Sequence, residues 1–223
     1  MDGFLLIDKP AGITSHDVVD AVRRVAATRR VGHAGTLDPF ATGLLIIGIN
    51  KGTKTLTGLV GLDKTYEATA FLGATSTTDD PEGTVTECPS SVAQREDIES
   101  AIQQFRGSYL QTAPAFSAKK VGGKKLYELA RAGRAHEVEL PKKTVTISEL
   151  VILEYTWPVL RFRVSCSSGT YIRALARDIG EALKVGAYLT QLRRTKIGSF
   201  DVKDAIALDA LTPKTLVSHL KAV

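Results

Sequence analysis

Cysteine is scarce in this chain. Cys88 and Cys166 are the two in 223 residues, and their separation excludes a C-x-x-C pair, a disulfide framework and a zinc knuckle. Such usage fits a reducing compartment. Aromatic residues make up 6% of the chain, with a single tryptophan, so composition gives no aromatic-rich stacking surface. Long hydrophobic runs are also missing. The first apolar run covers residues 4–7 and ends at Asp8 and Lys9, too short for a signal-peptide core or a membrane span. A soluble cytoplasmic protein with no membrane partner is the expectation. No G-x-x-x-x-G-K-[ST] loop, G-x-G-x-x-G fingerprint, H-E-x-x-H helix or G-x-S-x-G elbow occurs, which removes support for nucleotide cofactors, zinc hydrolysis and a serine nucleophile. The acidic loop at residues 75–83, with Asp79 and Asp80, lacks the alternation of an EF-hand, so no metal is expected. Nor does one sign of charge dominate: 29 basic against 24 acidic residues give +5, a slight bias toward an anionic partner.

What is present is a 43% hydrophobic chain able to fill a sizeable core. A strand is predicted over residues 3–8, stopped by Pro10 and Gly12. Thr14 with Asp17 forms a capping-box pattern for a helix to about residue 28, with Val18, Ala21, Val22 and Val25 at helical spacing. Residues 29–39 have no period and read as a loop, and residues 43–49, GLLIIGI, read as a buried strand. A short helix is expected near residues 54–60. DKTYEATAFLG alternates as a half-buried strand and ATSTTDDPEG is a polar loop. Residues 95–105 are helical by period, and a basic glycine-hinged loop leads to a helix ended by Gly133. Two β-branched strands cover residues 145–155 and 160–167. A helix from GTYIRALARDIGEALK and a strand from AYLTQLRRTKIGSF complete the pattern. The mixture lacks strict βαβ alternation, which predicts an α+β fold with a mixed, mainly antiparallel sheet flanked by helices. No linker or repeat breaks residues 1–223, so a single domain is expected.

One acidic side chain stands out in GHAGTLDPFATGLL, residues 32–45. Asp38 is the lone carboxylate in a run of glycine, threonine and proline. Most loop aspartates only accept local backbone hydrogen bonds. Here His33, Arg29 and Arg30 lie upstream, glycines allow close backbone approach, and an apolar strand follows that could hold the loop rigid. The four histidines, His16, His33, His136 and His219, are scattered, which suits structural or solvated roles. Basic residues concentrate at positions 23–30, 119–125 and 193–196, each readable as a solvated face. Phe116, Tyr127 and Tyr188 lie near two of these groups, the mixture of an RNA-backbone surface. Arg173 falls on an apolar helical stripe, where a buried guanidinium needs an acidic partner that composition does not name.

Seven blocks, in order, resemble the TruB-type tRNA pseudouridine synthases. They are LLIDKPAGITSHDVV, RRVGHAGTLDPFATGLLIIGI, DKTYEATAFLG, STTDDPEG, SAKKVGGKKLYELARAG, CSSGTYIRALARDIGE and LTQLRRTKIGSF. The resemblance implies isomerisation of the T-loop uridine at tRNA position 55 to pseudouridine, without cofactor, on a flipped-out nucleotide. It further implies that Asp38 is the catalytic carboxylate and that Tyr66 lies against the extruded base and helps remove the C5 proton. By the same resemblance Arg173 pairs with the catalytic aspartate, and Leu192 walls the base pocket. His33 packs into the space left by the opened T-loop, Asp80 contacts the rearranged loop, and Lys9 serves near the site in a structural role. Ser76 and Phe116 stand where such proteins often carry threonine and tyrosine, so a hydroxyl contact is lost at Phe116. Bacterial members usually continue into a C-terminal PUA domain, and residues 209–223 offer little beyond a last helix. A catalytic domain that reads the tRNA T-arm alone, as a monomer with no protein partner implied, is therefore expected. Two other readings remain, a non-catalytic tRNA-binding or folding module on the same scaffold and a guide-RNA-directed relative. Intact Asp38, Tyr66 and Arg173 favour the synthase over the first.

Overall fold

The computed structural model describes residues 1–89, 91–117, 120–121, 124–134 and 138–222. His136 and Lys119 of the sequence expectations lie outside them, so the basic segment at 119–125 is described only in part. In chain order the first elements are β1 (Gly3–Lys9), α1 (Ser15–Ala26), β2 (Val31–Ala34), β3 (Thr42–Ile49), α2 (Leu56–Val60) and β4 (Lys64–Leu72). Next come β5 (Ala74–Ser76), β6 (Val85–Glu87), α3 (Arg95–Gln103), β7 (Gly107–Thr112), β8 (Lys120–Val121), β9 (Lys124–Lys125) and α4 (Leu126–Arg131). The chain ends with β10 (Lys142–Thr156), β11 (Val159–Cys166), α5 (Ile172–Ala182), β12 (Ala187–Ile197), β13 (Phe200–Asp201), β14 (Ile206–Ala207) and α6 (Pro213–His219). Contacts divide it into two compact units, residues 1–67 with 191–223 and residues 68–190. None of the described helices is long and apolar enough to cross a membrane.

In the first unit β1 runs antiparallel to β3 from Gly3↔Ile49 to Lys9↔Gly43. Two parallel contacts make the sheet mixed: β14 beside β1 at Ile7↔Ile206, and β12 beside β3 at Arg193↔Thr42 and Arg194↔Gly43. Because successive strand side chains point to opposite faces, β1 and β3 divide their apolar residues between two clusters. Leu5, Ile7, Leu45, Ile47 and Ile49 pack with Val18, Val22 and Leu216, whereas Leu6, Leu44 and Ile46 pack with Ala34, Leu56 and Ile197. Two-sided burial is why GLLIIGI is a continuous apolar run rather than an alternating one. The capping box forms: Thr14 Oγ1 accepts from Asp17 N at 3.1 Å and Asp17 Oδ2 from Thr14 N at 2.7 Å. The helix it starts buries Ser15, Val18, Val19 and Val22, one face of a 3.6-residue period, and ends at Ala27 in the left-handed region with φ 49°.

In the second unit β7, β10 and β11 form antiparallel ladders, with β4 beyond β11. Val145, Ile147 and Leu150 of β10 and Phe162 and Val164 of β11 are buried, and α3 and α5 pack together and against β10 and β7 respectively. Hydrophobic residues of both helices, Ile98, Ile102, Leu175 and Ile179, are buried with them. The α+β class and the antiparallel bias expected from the sequence are therefore found.

Three local expectations need correction. Residues 29–39 contain β2, which pairs antiparallel with β3 from Val31↔Ile49 to Ala34↔Ile46; four residues with glycine and histidine in the middle are too few to show a period. The polar loop at 74–83 begins as β5, paired with β6, because β5 carries only three residues before the turn. The helix expected near 54–60 is present as α2 and is preceded by a 3-10 turn, Asn50–Lys54, that was not expected. Ile47 is fully buried, so Ile47→Ala should cost about 2–5 kcal/mol. Val217, 60% exposed, should change stability by less than about 0.5 kcal/mol when replaced by alanine. Urea midpoints of the two variants check the contrast.

Candidate active site

Asp38 sits half-buried on the loop between β2 and β3, and the backbone around it is held carbonyl by carbonyl. Gly35 O accepts from Arg194 Nη2 at 3.0 Å and Thr36 O from Arg194 Nη1 at 3.5 Å. Ser15 Oγ donates to Leu37 O at 3.1 Å while accepting from Leu37 N at 2.8 Å. Asp38 O takes the amide of Ala41 at 3.1 Å, and Pro39 O takes the amide of Gly12 at 2.9 Å and Lys9 Nζ at 3.2 Å. Every carbonyl from Gly35 to Pro39 thus has a donor. These bonds fix the backbone from which the Asp38 side chain extends.

The anchors follow from local sequence. Lys9 is fully buried at the end of β1, its ammonium also donating to Pro10 O at 2.9 Å and Ile13 O at 2.6 Å. Ser15 is the first residue of α1, fixed there by the Thr14 cap. Arg194 lies on β12, where alternation places it on the same face as the buried Leu192. Close passage of the strand demands glycine at 43: its φ is 104°, and a Cβ would lie 2.3 Å from Arg194 O. The basic group at 193–196 is therefore a solvated face only in part, since Lys196 is exposed and Arg193 half-exposed. Arg194 is 1% exposed, and Arg193 grips Asp8 in a fork, Nη1 to Oδ1 at 3.0 Å and Nη2 to Oδ2 at 2.6 Å. That fork lies on the wall of a cleft of about 570 Å³, which Lys9, Thr42 and Leu208 also line, a volume suited to a nucleotide-sized group.

The other expected residues of this unit fall near the same elements. Tyr66 is buried on β4 and Leu192 on β12, adjacent strands tied by Thr195 Oγ1 donating to Thr65 O at 3.2 Å. His33 lies in β2, opposite Ile47. Burial pulls its imidazole below the ordinary range, and the Arg194 charge and His16 add to the effect, so His33 is neutral near pH 7.

Asp80 and Arg173 meet within the second unit. The guanidinium stands 3.2 Å from Asp80 Oδ2, both side chains about 5% exposed or less, and donates to Thr78 O at 2.7 Å and Phe116 O at 3.0 Å. Asp80 Oδ1 accepts from Glu82 N at 3.0 Å and from Thr78 Oγ1, and Ser76 Oγ donates to Asp80 O at 2.6 Å. Both carboxylate oxygens of Asp80 and its carbonyl are thus engaged. Arg177, which the sequence did not single out, adds a second clasp, to Asp79 Oδ2 at 3.1 Å and Asp178 Oδ1 at 2.8 Å. Asp79 has φ 61°, unusual for a residue with a side chain. Burial raises its carboxyl above the ordinary range, with Arg177 opposing.

Ser15, Arg177 and Arg194 anchor these loops and were not singled out one by one from the sequence, Arg194 appearing there only within the basic group at 193–196.

The TruB family pseudouridylate synthase (N terminal domain) model matches residues 23–172, and the tRNA pseudouridylate synthase B C-terminal domain model matches residues 173–220. A tRNA pseudouridine synthase B of Mycobacterium sp. (strain KMS) is 49% identical over 222 residues, covering 97% of this chain and 74% of the relative. That of Corynebacterium aurimucosum is 51% identical over 214 residues, covering 94% and 71%. Among solved structures, a chain of a Cbf5-Nop10-Gar1 complex superposes with a TM-score of 0.75 at 29% identity, over 96% of this chain. This chain spans about half of that one, 54%. The chain belongs to the TruB family of pseudouridylate synthases.

Proposed function

We propose that this protein isomerises the T-loop uridine at position 55 of tRNA to pseudouridine, with Asp38 as the reacting carboxylate. The observation that carries the reading is the closed set of carbonyl contacts from Gly35 to Pro39, which aims one half-buried acidic side chain from a fixed loop. Membership of the family and the names of its relatives supply the substrate.

A carboxylate can work on the sugar in two ways without a cofactor. It attacks C1′ as a nucleophile and displaces uracil at N1, or it removes the 2′ hydrogen so that the C1′–N1 bond breaks by elimination. Uracil then turns and C5 joins C1′, as the carboxylate leaves C1′ in the first route or the proton returns to C2′ in the second, and the proton leaving C5 is balanced by one gained at N1. The detached base has to be retained while it turns. Tyr66 and Leu192, both buried on adjacent strands, are assigned to that pocket, Tyr66 also to removal of the C5 proton. His33 is assigned to the space left by the extruded nucleotide, a place that suits a neutral ring. Lys9 belongs to the frame of the loop. In the second unit, Arg173 is assigned the fixed positive charge the reaction uses, and Asp80 the shape of a loop that meets the RNA. The partner is the tRNA T-arm, read mainly by shape and unpaired bases, and we read the enzyme as a cofactor-free cytoplasmic monomer.

Release of tritium from a tRNA transcript labelled at uridine C5 tests the reaction. Asp38→Asn should lose at least about 10⁴-fold in turnover, the order seen when a reacting group is removed, while binding tRNA nearly as well. Turnover by that variant, or release from a transcript whose T-loop uridine is cytidine, contradicts the reading. Binding without release by the native chain would favour a tRNA-binding module. Arg173→Lys keeps the charge without the planar fork; turnover should fall at least tenfold with binding within a factor of two, and equal activity would mean that the arginine only packs. For His33, the folded imidazole has the lowered value, so in the window just below the unfolded value of about 6.5 the unfolded chain holds more protons and stability falls with falling pH. Urea midpoints at pH 7 and pH 5 should therefore drop further for the native protein than for His33→Gln.

A further inference from the structure

We infer that Arg194 is a positioning residue for the reaction: its buried guanidinium spans the two ends of the loop that carries Asp38 and fixes the direction in which that carboxylate is presented. The inference rests on the reading of Asp38 as the reacting group. Nη2 and Nη1 hold Gly35 O and Thr36 O, where the chain enters the loop, at 3.0 and 3.5 Å. Nε holds Leu44 O, beyond its exit, at 2.8 Å. Asp38 lies between these attachment points, so the spacing of the nitrogens on one planar group sets the spacing of the loop's ends.

Packing alone does not account for an arginine here. The side chain is 1% exposed, and none of its hydrogen-bond partners among the described residues is a carboxylate. A guanidinium stays ionised in proteins and loses its hydration on burial, so an apolar side chain of like volume would fill the space at less cost. The neighbouring Arg193 shows the usual solution, a partly exposed fork onto Asp8. Arg194 instead spends its charge on backbone carbonyls of the loop. Lysine, a compact charge without the planar fork, does not reproduce three directed contacts. Displacement of a reacting group by about 1 Å can cost about 10²-fold in rate, which sets the scale expected.

The test uses the full chain and tRNA transcript under single-turnover conditions, with tRNA affinity and thermal midpoint measured on the same samples. Arg194→Lys should fold, bind tRNA within about twofold of the native protein, and react about 10²-fold more slowly. A folded Arg194→Lys variant reacting at the native rate overturns the inference. So does a rate loss matched by an equal loss of affinity, which would mark a merely structural residue. Should Arg194→Lys fail to fold, Gly35→Ala decides. Gly35 has φ 86°, and a Cβ there would make only an ordinary contact with Arg194 Nη1 at 3.7 Å, so alanine strains the backbone whose carbonyl the guanidinium holds without a steric clash. A slower reaction with native affinity supports the inference, and an unchanged rate refutes it. Asp38→Asn runs alongside: if it remains active the assignment of Asp38 fails, whereas an inert Asp38→Asn beside a native-rate positioning variant removes only the role of Arg194.

Discussion

Five successive carbonyls, Gly35 to Pro39, constrain the first unit more than any other feature. Backbone polar groups withdrawn from water need partners; Asp38 O finds its partner within the loop, at Ala41 N, and the other four find theirs at the end of β1, the turn after it, the start of α1 and in β12. The Thr14 capping box places Ser15. The ladder between β1 and β3 brings Lys9 beside Gly43, and the parallel contact of β12 with β3 delivers Arg194. Core packing and loop geometry are thus one problem: the apolar alternation that buries Ile7, Ile47 and Leu192 also sets where the donors stand.

Buried guanidinium groups are held differently in the two units. In the first, the hydrogen-bond partners of Arg194 are carbonyl oxygens. In the second, Arg173 has carbonyls and also a carboxylate, Asp80. Carbonyl dipoles stabilise a cation without cancelling its charge, so they leave positive potential beside the loop, while an ion pair leaves little beyond the pair. On the reading of Asp38 as the reacting carboxylate, its loop is better served by the first arrangement. A loop that must only keep its shape is served by the second.

The sequence disclosed what repeats or what has a strong local signature. GLLIIGI showed a buried strand, Thr14 and Asp17 a helix start, and the alternation of DKTYEATAFLG a half-buried strand, which the burial pattern of β4 follows residue by residue. Asp38 stood out because nothing acidic surrounds it. What stayed hidden depends on partners distant in the chain. β2 is legible only beside β3, and Ser15 acts on a residue 22 positions away. Arg194 reaches carbonyls 150 and 159 positions away, and backbone oxygens leave no mark in a sequence. A pair of arginines in a strand therefore reads as surface charge, although alternation puts the second on the apolar face.

The Asp79 and Arg177 clasp shows why order at such a loop has a cost. Burial raises the carboxyls of Asp79 and Asp178, and the shared guanidinium only partly opposes it. Asp79 further accepts a left-handed backbone, which costs of order 1–3 kcal/mol in a residue with a side chain. Stability alone would have been better served by a relaxed turn. What the strained residue provides is the geometry of its neighbour: with Asp79 turned, Leu189 N reaches its carbonyl at 3.1 Å, and Asp80 points inward to Arg173 rather than to water. The two residues divide the work, Asp79 carrying the strain and Asp80 the ion pair.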